Sequence, residues 1–395
     1  MGNWKNLLYA VLALLPLLMG GCKSTEAPQV SPHVQLEKAP VKALPAVAEA
    51  ARPVLGVQLG GGRQGVVPAL KNIVTTLAGQ AGVAGMTDGS GVLASFDAPK
   101  AITTDGVALY VADSNNHTIR KIDLASGQVS TLAGMPGKKG SQDGKGWLAR
   151  FNRPFGITTD GVNLYVTDSN NHTIRQVEIA SGTVTTIAGA AGAVGYRDGG
   201  GRNARFFIPE GITTDGTSLY VSDTHNHSIR KISLNKHVVS TLAGLSGAPG
   251  FFDDVAGKAR FSYPKGIATD GHVLYVADFG NQKIRKIVLK TGAVSTLSGK
   301  TAGDVAQAEP VQFNYPSGIT TDGRNLYVAD TDNRCIRKVI IASGVVSTLA
   351  GAEEQQGYAD GTGAEARFSA PIGIVSDGSA LYVTDSSDFV VRKIR

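Results

Sequence analysis

Histidine is the residue type in this sequence that best suits metal chemistry. Four of the seven histidines lie in similar polar segments, namely His117, His172, His225 and His227. Neutral imidazole is the commonest metal ligand in proteins. However, His117, His172 and His227 are widely separated in the chain, and only His225 and His227 are close to each other. We therefore keep a divalent metal at these histidines as a hypothesis and predict no cofactor.

Other reactive residue types recur too regularly to be catalytic. An aspartate occurs six times, at Asp113, Asp168, Asp223, Asp278, Asp330 and Asp385, and each is followed seven residues later by an arginine. A catalytic residue needs to occur once, so this pattern predicts a structural ion-pair network between neighbouring strands. The sequence contains no Ser-His-Asp motif and no Gly-rich phosphate loop. We predict no catalytic residue, and Cys335 is interpreted as a filler of its strand.

These residues belong to one segment that is repeated six times. Its centre is Leu-Tyr-Val-x-Asp, with the tyrosine at Tyr110, Tyr165, Tyr220, Tyr275, Tyr327 and Tyr382. The spacing between successive tyrosines is constant, except that it is slightly shorter between Tyr275 and Tyr327. A regular period of roughly 55 residues indicates one supersecondary unit packed against its neighbours. Positions shared by all copies belong to the scaffold, and positions that vary can carry function.

Each repeat contains four short β-type runs separated by turn residues. In the second copy we expect strands a to d over 156–159, 164–167, 174–179 and 184–188. Six such units predict an all-β fold, a six-bladed β-propeller with four antiparallel strands per blade. The last copy lacks strand d, whereas a spare strand d over 73–78 precedes the first copy. We expect segment 73–78 to complete the last blade and close the ring, which removes two open edges.

The sequence of residues 1–71 predicts an export signal followed by a tether. Residues 1–22 contain Lys5 and an apolar run over 7–19 that is too short to span a bilayer comfortably. The run ends in Gly20-Gly21-Cys22, which resembles a bacterial lipobox and implies lipidation of Cys22. An ordinary signal peptide with an incidental cysteine is the alternative. Lys23 in place of an aspartate favours the outer membrane over the inner membrane. Residues 23–71 are rich in Ala and Pro and predict a flexible tether before a propeller over 72–395.

The charge of the chain does not point to nucleic acid. The net charge is +6, and aromatic residues make up 6% of the sequence. A base-stacking surface needs more aromatic side chains than this. For a protein anchored by lipid in the bacterial envelope, a positive charge favours anionic envelope polymers. We expect a membrane anchor and a protein or glycan partner, and no nucleic acid partner.

The repeat resembles the NHL repeat, at the level of the pattern P-x-G-I-x-x-D-G-x-x-L-Y-V-A-D-x-x-N-x-x-I-R-K-I. The resemblance covers residues 73–395 and implies a β-propeller. Members of this family serve as ligand-binding, protein-binding or RNA-binding modules, as extracellular sensor domains and, in one group, as a metal-dependent lyase. Because one fold hosts so many roles, the resemblance alone assigns no function.

The face that carries the long connections is the expected binding face. The d–a connections have about 20 residues, and long loops on a rigid scaffold are the usual carriers of function. The variable residue of Pro-x-Gly should surround the mouth of the central channel, at Lys100, Phe155, Glu210, Lys265, Ser317 and Ile372. Phe279 is a candidate exposed apolar anchor. Neutral variation at an exposed position is the competing explanation.

Three functions are compatible with this sequence, of which the third is a purely structural or assembly factor within an envelope complex that only its partners would distinguish from the first. The first is an envelope-tethered binding module for a protein, peptide or glycan, acting through the long-loop face. The alternative is a metal-dependent lyase or lactone hydrolase that uses the central channel, where Glu210 is the only acid expected at the mouth. We favour the binding module because no unique reactive constellation is visible.

Overall fold

Residues 70–299 and 311–395 are described by a computed structural model of the protein. They form six antiparallel sheets arranged as the blades of a propeller, so the expected all-β, six-bladed fold is confirmed. The expected signal segment with Cys22, and the expected tether over 23–71 apart from its last two positions, lie outside the described residues. Among the described residues there is no helix of the length and apolar character needed to cross a bilayer.

The strands are short and regular. The first strand, β1, spans Ile73–Ala78. Blade 1 contains β2 (Pro99–Thr104), β3 (Ala108–Asp113), β4 (Thr118–Asp123) and β5 (Gln128–Ala133). Blade 2 contains β6 (Pro154–Thr159), β7 (Asn163–Asp168), β8 (Thr173–Glu178) and β9 (Thr183–Gly189). Blade 3 contains β10 (Ile212–Thr214), β11 (Ser218–Asp223), β12 (Ser228–Ser233) and β13 (Val238–Ala243).

Blades 4 to 6 follow the same plan. Blade 4 contains β14 (Pro264–Thr269), β15 (Val273–Asp278), β16 (Lys283–Val288) and β17 (Val294–Ser298). Blade 5 contains β18 (Pro316–Thr321), β19 (Asn325–Asp330), β20 (Cys335–Ile340) and β21 (Val346–Gly351). Blade 6 contains β22 (Pro371–Ser376), β23 (Leu381–Asp385) and β24 (Val390–Ile394).

The long connections carry small elements of their own. In four blades a two-residue strand extends the sheet beyond strand d, at Gly89–Ser90, Gly144–Lys145, Gly199–Gly200 and Gly361–Thr362. Single 3-10 turns occur at Gly91–Leu93, Gly146–Leu148, Ser169–Asn171, Gly201–Asn203, Thr224–Asn226, Ala256–Lys258, Phe279–Asn281 and Gly363–Glu365. In these four blades the two-residue strand covers part of the outer edge of strand d, which limits pairing with other chains.

The ring closes through its first strand, as expected. Strand β1 pairs antiparallel with β24, with Val74 opposite Ile394 and Thr76 opposite Arg392. Backbone hydrogen bonds between Ile73 and Arg395 extend the pairing in both directions, at 2.9 and 3.0 Å. Blade 6 is therefore built from both ends of the described chain.

The core lies between neighbouring blades rather than within one blade. Tyr110 of blade 1, for example, is buried in a cluster with Ile157, Leu164 and Val166 of blade 2. The hydroxyl of Tyr110 reaches the a–b turn and donates to Asp105 Oδ2 at 2.8 Å. This bond recurs in all six blades, which explains why Thr-Asp-Gly and Leu-Tyr-Val are repeated together.

The repeated Asp and Arg form the predicted structural network. In blade 2, Arg175 Nη1 lies 2.7 Å from Asp168 Oδ2, and both side chains are fully buried. The guanidinium also lies over the ring of Phe151, 5.0 Å from its centroid. Its Nη2 pairs with Asp143 Oδ1 at 2.8 Å. Asp143, which lies in the long connection into blade 2, thus belongs to the same ion-pair network.

The innermost strands approach one another at the glycine of Pro-x-Gly. A Cβ atom added at Gly211 would lie 1.9 Å from the carbonyl oxygen of Lys265, and one at Gly156 would lie 2.0 Å from that of Glu210. Glycine is therefore required by close backbone contact between neighbouring strands a. Blade 1 has Ala101 at the equivalent position. The close backbone contact at this glycine also fixes the backbone position of the variable residue that precedes it.

Candidate functional site

The variable Pro-x-Gly side chains surround one cavity at the centre of the ring. The cavity is open to solvent, and the space within it and its opening together is about 450 Å³. Its wall includes five of the six expected residues, namely Lys100, Phe155, Glu210, Ser317 and Ile372. The sixth, Lys265, contacts Glu210 and Phe155. The structure therefore brings together the residues that the repeat alignment singled out, and we call this set the channel mouth.

A second layer of the channel is uniformly apolar. Each strand a contributes one isoleucine two residues after the variable position, at Ile102, Ile157, Ile212, Ile267, Ile319 and Ile374. All six side chains are buried. A charged group would lose its hydration in this layer without gaining a partner. The charged and hydroxyl side chains of the cavity wall, Lys100, Glu210 and Ser317, therefore all lie at the mouth.

Lys265 and Glu210 form an ion pair at the mouth. Lys265 Nζ lies 3.5 Å from Glu210 Oε2, and their side chains are only 20% and 12% exposed. Burial raises the pKa of Glu210, and the positive charge of Lys265 opposes this shift. The ammonium also lies over the ring of Phe279, 3.8 Å from its centroid. The lysine is thus held by a carboxylate and an aromatic face together.

Phe279 is less exposed than its expected role as an anchor requires. Its side chain is half-buried and also contacts Tyr315, with ring centroids 4.8 Å apart. One of its faces is already covered by Lys265. The position next to strand b suggested exposure, but Lys265 of the same blade and Tyr315 of the connection into blade 5 both contact the ring. Phe279 supports the mouth rather than projecting from it.

Lys100 occupies the opposite side of the charged cluster. Its Nζ donates to Ser386 Oγ at 3.0 Å. Burial, and then the nearby charge of Lys265, lower the pKa of Lys100 to about 8, and Glu210 opposes the shift. A group with a perturbed pKa in a cavity is a functional-site candidate. The hydroxyl of Ser386 was not among the predicted site residues.

Two tyrosines at the rim were also missed. Tyr263 and Tyr315 immediately precede the proline of Pro-x-Gly and adopt left-handed backbone angles, with φ of 48° and 51°. Both side chains are about two-fifths exposed, at 42% and 39%. Left-handed backbone at a bulky residue is uncommon. The position before the proline is Ala98 and Arg153 in the first two copies, so its variation was visible in the sequence.

Three of the four histidines connect neighbouring blades. The Nδ1 atoms of His117, His172 and His227 accept the backbone N–H of Arg153, Ile208 and Tyr263, at 3.2, 3.1 and 3.1 Å. Each histidine has a left-handed backbone at the end of a b–c turn. In each case the partner belongs to the connection that leads into the next blade. These histidines have a structural role that spacing along the chain did not reveal.

His225 differs from the other three. Its ring contacts those of Phe207 and Tyr263, with centroid distances of 5.0 and 5.4 Å. Within residues 70–299 and 311–395, no group of three His, Cys, Asp or Glu side chains could hold one metal ion. The metal hypothesis for His117, His172, His225 and His227 remains a prediction, and the observed contacts of these rings are aromatic or structural.

The interblade histidines should make stability depend on pH. Burial lowers the pKa of His117, His172 and His227 from the ordinary value of 6.5. Below 6.5 the unfolded chain therefore binds protons that the folded chain does not. We expect the free energy of unfolding to decrease as the pH falls from 6.5 through the lowered pKa values, with no such contribution above 6.5. Denaturant unfolding of the full chain across this range measures it.

A matched variant distinguishes the contribution of these histidines to the pH dependence of stability from that of other titrating groups. Gln282 occupies the equivalent position in blade 4 with the same left-handed backbone, φ 56°. The triple variant His117→Gln, His172→Gln and His227→Gln should therefore fold and show a shallower loss of stability in acid. Equal slopes for the variant and the wild type would contradict the structural role of these Nδ1 atoms.

The last blade departs from the other five at Asp388. In blades 1 to 5 an asparagine at this position donates to the strand-b aspartate, at 2.7–2.8 Å. Asp388 cannot donate as a carboxylate, and Arg392 Nη1 lies 3.8 Å from Asp385 Oδ2. Burial, and then the charge of Asp388, raise the pKa of Asp385 above its ordinary value. Alignment of the six copies could have identified this substitution.

The surroundings of Cys335 suppress the reactivity of its thiol. It is fully buried in β20, and burial raises its pKa to about 12. The thiolate is the nucleophilic form of cysteine, so a raised pKa suppresses its chemistry. This environment agrees with the interpretation of Cys335 as a filler.

Comparisons with known proteins agree with the repeat architecture. The family model for the NHL repeat matches residues 313–339, which span β18, β19 and most of β20. "NHL repeat-containing protein 2" of Homo sapiens is 29% identical over 317 residues, 70% of this chain and 43% of that protein. "Protein SUPPRESSOR OF QUENCHING 1, chloroplastic" of Arabidopsis thaliana is 32% identical over 295 residues, 69% of this chain and 28% of that protein. The chain thus matches less than half of each of these curated relatives.

A solved structure shares the fold. It is a structural genomics protein of unknown function from Bacteroides thetaiotaomicron, with a TM-score of 0.61 and 22% identity. The similarity covers 82% of this chain and 75% of the other. At this level of identity the similarity shows the architecture and carries no activity with it.

Proposed function

Starting from the premise that the chain is an NHL-repeat β-propeller, we propose that it is a binding module of the bacterial cell envelope. The module captures a protein, peptide or glycan partner through its long-loop face. The face is the one on which the channel mouth opens. No covalent chemistry is assigned to the propeller.

One observation carries the proposal. Six equivalent backbone positions surround a single cavity, yet their side chains include two lysines, a glutamate, a phenylalanine, a serine and an isoleucine. The scaffold around them is repeated almost without change. A few polar groups converging on a largely apolar cavity are the usual composition of a ligand site. The asymmetry of the mouth supports recognition of one specific partner.

The proposed location follows from residues 1–71. We propose that residues 1–22 direct export and that Cys22 carries the lipid that anchors the protein, in the outer membrane. Residues 23–71 would then hold the propeller away from the membrane. The lipobox-like sequence Gly20-Gly21-Cys22 supports this anchor. Radiolabelled palmitate incorporation into the wild type, and its loss in Cys22→Ala, is the direct test.

Partner capture tests the binding face. We expect crosslinking of the full chain in its native envelope to yield a partner, and alanine at Lys100, Phe155, Glu210 and Lys265 together to abolish that crosslink. The mouth lies where strand a begins, and the a–b turns lie at the opposite end of this strand. Alanine at exposed residues of these turns, at Val107, Thr217, His272 and Arg324, is the matched control. If the variant of the channel mouth still captured the partner and the variant of the a–b turns did not, the binding site would lie on the other face.

A further inference from the structure

The mouth has an excess of positive charge that the propeller itself does not neutralise locally. Among the residues that line the cavity, Lys100 and the neighbouring Lys265 face one carboxylate, Glu210, which forms its ion pair with Lys265. Outside this lining, the charges of Arg153 and Asp97 also act on Lys100, in opposite directions. Lys100 Nζ is hydrogen-bonded to the neutral hydroxyl of Ser386. Repulsion from Lys265 contributes to the lowered pKa of Lys100. An anion between the two ammonium groups would relieve this repulsion.

The walls limit what kind of anion fits. The six isoleucines form an apolar layer deeper in the channel, so a charged group must stay at the level of the lysines. Phe155 and Phe279 flank Lys265 at 5.8 and 3.8 Å, measured from Nζ to the ring centroids. Tyr315 extends this aromatic side toward solvent. Flat apolar surfaces beside a cation suit a ligand with a compact ring body next to its charge.

We propose that the channel mouth binds a small organic carboxylate carried on a ring, with the carboxylate between Lys100 and Lys265 and the ring against Phe155, the aromatic side chain that lines the cavity. This inference rests on the proposed binding function and names its ligand chemistry. Lys265 supplies a fixed charge, because Glu210 and Phe279 hold its position. Lys100 supplies the second charge. Within residues 70–299 and 311–395, its ammonium group donates to the hydroxyl of Ser386 and forms no ion pair with a carboxylate. Charge-assisted hydrogen bonds to both ammonium groups would orient the ligand.

Two acids and their neutral amides test the proposal by calorimetry on the full chain. The pairs are D-glucuronate with D-glucuronamide, and cyclohexanecarboxylate with cyclohexanecarboxamide. Each pair keeps the ring and removes the charge. At pH 7 we expect at least one acid to bind about tenfold tighter than its amide, the size of one hydrogen bond to a charged group. Preference for glucuronate identifies a sugar ring, and preference for cyclohexanecarboxylate identifies an apolar ring.

Variants and proton uptake make the test specific. Lys100→Gln should remove the preference for the acid, whereas Lys338→Gln, on a strand-c position away from the mouth, should keep it. Because the anion raises the pKa of Lys100, binding at about pH 8.5 should take up protons in the wild type and not in Lys100→Gln. Proton uptake is read from the dependence of the binding heat on buffer ionisation enthalpy. Thermal melting of each variant confirms that it is folded.

The outcomes are distinct from those of the partner-capture test. Amides that bind as tightly as their acids, an unchanged preference in Lys100→Gln, or no binding of any of the four probes would each overturn the carboxylate proposal. Loss of partner capture in the mouth variant would still support the binding module in that case. Conversely, capture that is insensitive to the mouth would refute the proposed function even if carboxylates bind there.

Discussion

Deletion of residues 72–79 is expected to destabilise the whole propeller. The deletion removes β1 and leaves β24 with an unpaired edge, although β24 is fully present. It also removes Val74 and Ala78, which belong to the clusters on the two sides of blade 6. Because each blade packs on both neighbours, an opening at one joint weakens the ring on both sides. We expect a midpoint of thermal unfolding well below that of the wild type.

A peptide supplies the control for this deletion. A synthetic peptide of residues 70–80 added to the deleted chain should raise its melting midpoint as the peptide concentration increases, since it binds the folded state only. A peptide of the same composition in scrambled order should not. If the deleted chain melted like the wild type, closure of the ring by β1 would be wrong.

Arg175→Met is expected to destabilise the protein by about 3–5 kcal/mol, the usual cost of removing one partner of a buried ion pair. Arg175 is fully buried and pairs with both Asp168 and Asp143. It also donates from Nη1 to the carbonyl of Arg150, at 2.9 Å. Methionine has a similar length and no charge, so Asp168 would remain as a buried carboxylate without its cation. Urea unfolding of the full chain measures the loss.

Two further variants separate charge from packing. Gln176→Met changes the next residue of the same strand, which is half-buried, and should alter stability by less than about 0.5 kcal/mol. Asp168→Asn in the Arg175→Met background removes the orphaned charge and should recover part of the lost stability. If this double variant gained nothing, an unpaired charge would not be the cause of the loss.

The repeat allowed most of the fold to be predicted from the sequence. Six copies provided an internal alignment, and the unequal ends of that alignment identified β1 as the closing strand. The Asp–Arg pairs were predictable because both partners recur in register within one repeat. Strand a of blade 2 begins at Pro154, two residues before the predicted start. Proline fits there because this strand is the inner edge of its sheet and the missing N–H is not needed.

Contacts between blades were not predictable in the same way. The bond from Arg153 to His117 joins residues of different repeats, and periodicity gives the spacing within a repeat but not the distance across a joint. The same reason explains the contact of Phe279 with Tyr315, because Tyr315 directly precedes the first strand of blade 5. Residues at the mouth were identified by their variation, but their charges and partners required the geometry of the ring.

The pairing of β1 with β24 also sets an order of events during biosynthesis. Among the described strands of the propeller, β1 is synthesised first and its partner β24 last, so that almost the whole propeller lies between Val74 and Ile394. Local hairpins within a blade can form as they emerge, but this long-range pairing has to wait and carries the largest loop-closure cost. A nascent chain that has reached only β21 still presents β1 as an unpaired strand. Only a chain that includes β24 can therefore close the ring. A shorter chain keeps β1 unpaired and would remain open to proteases that attack unpaired strands.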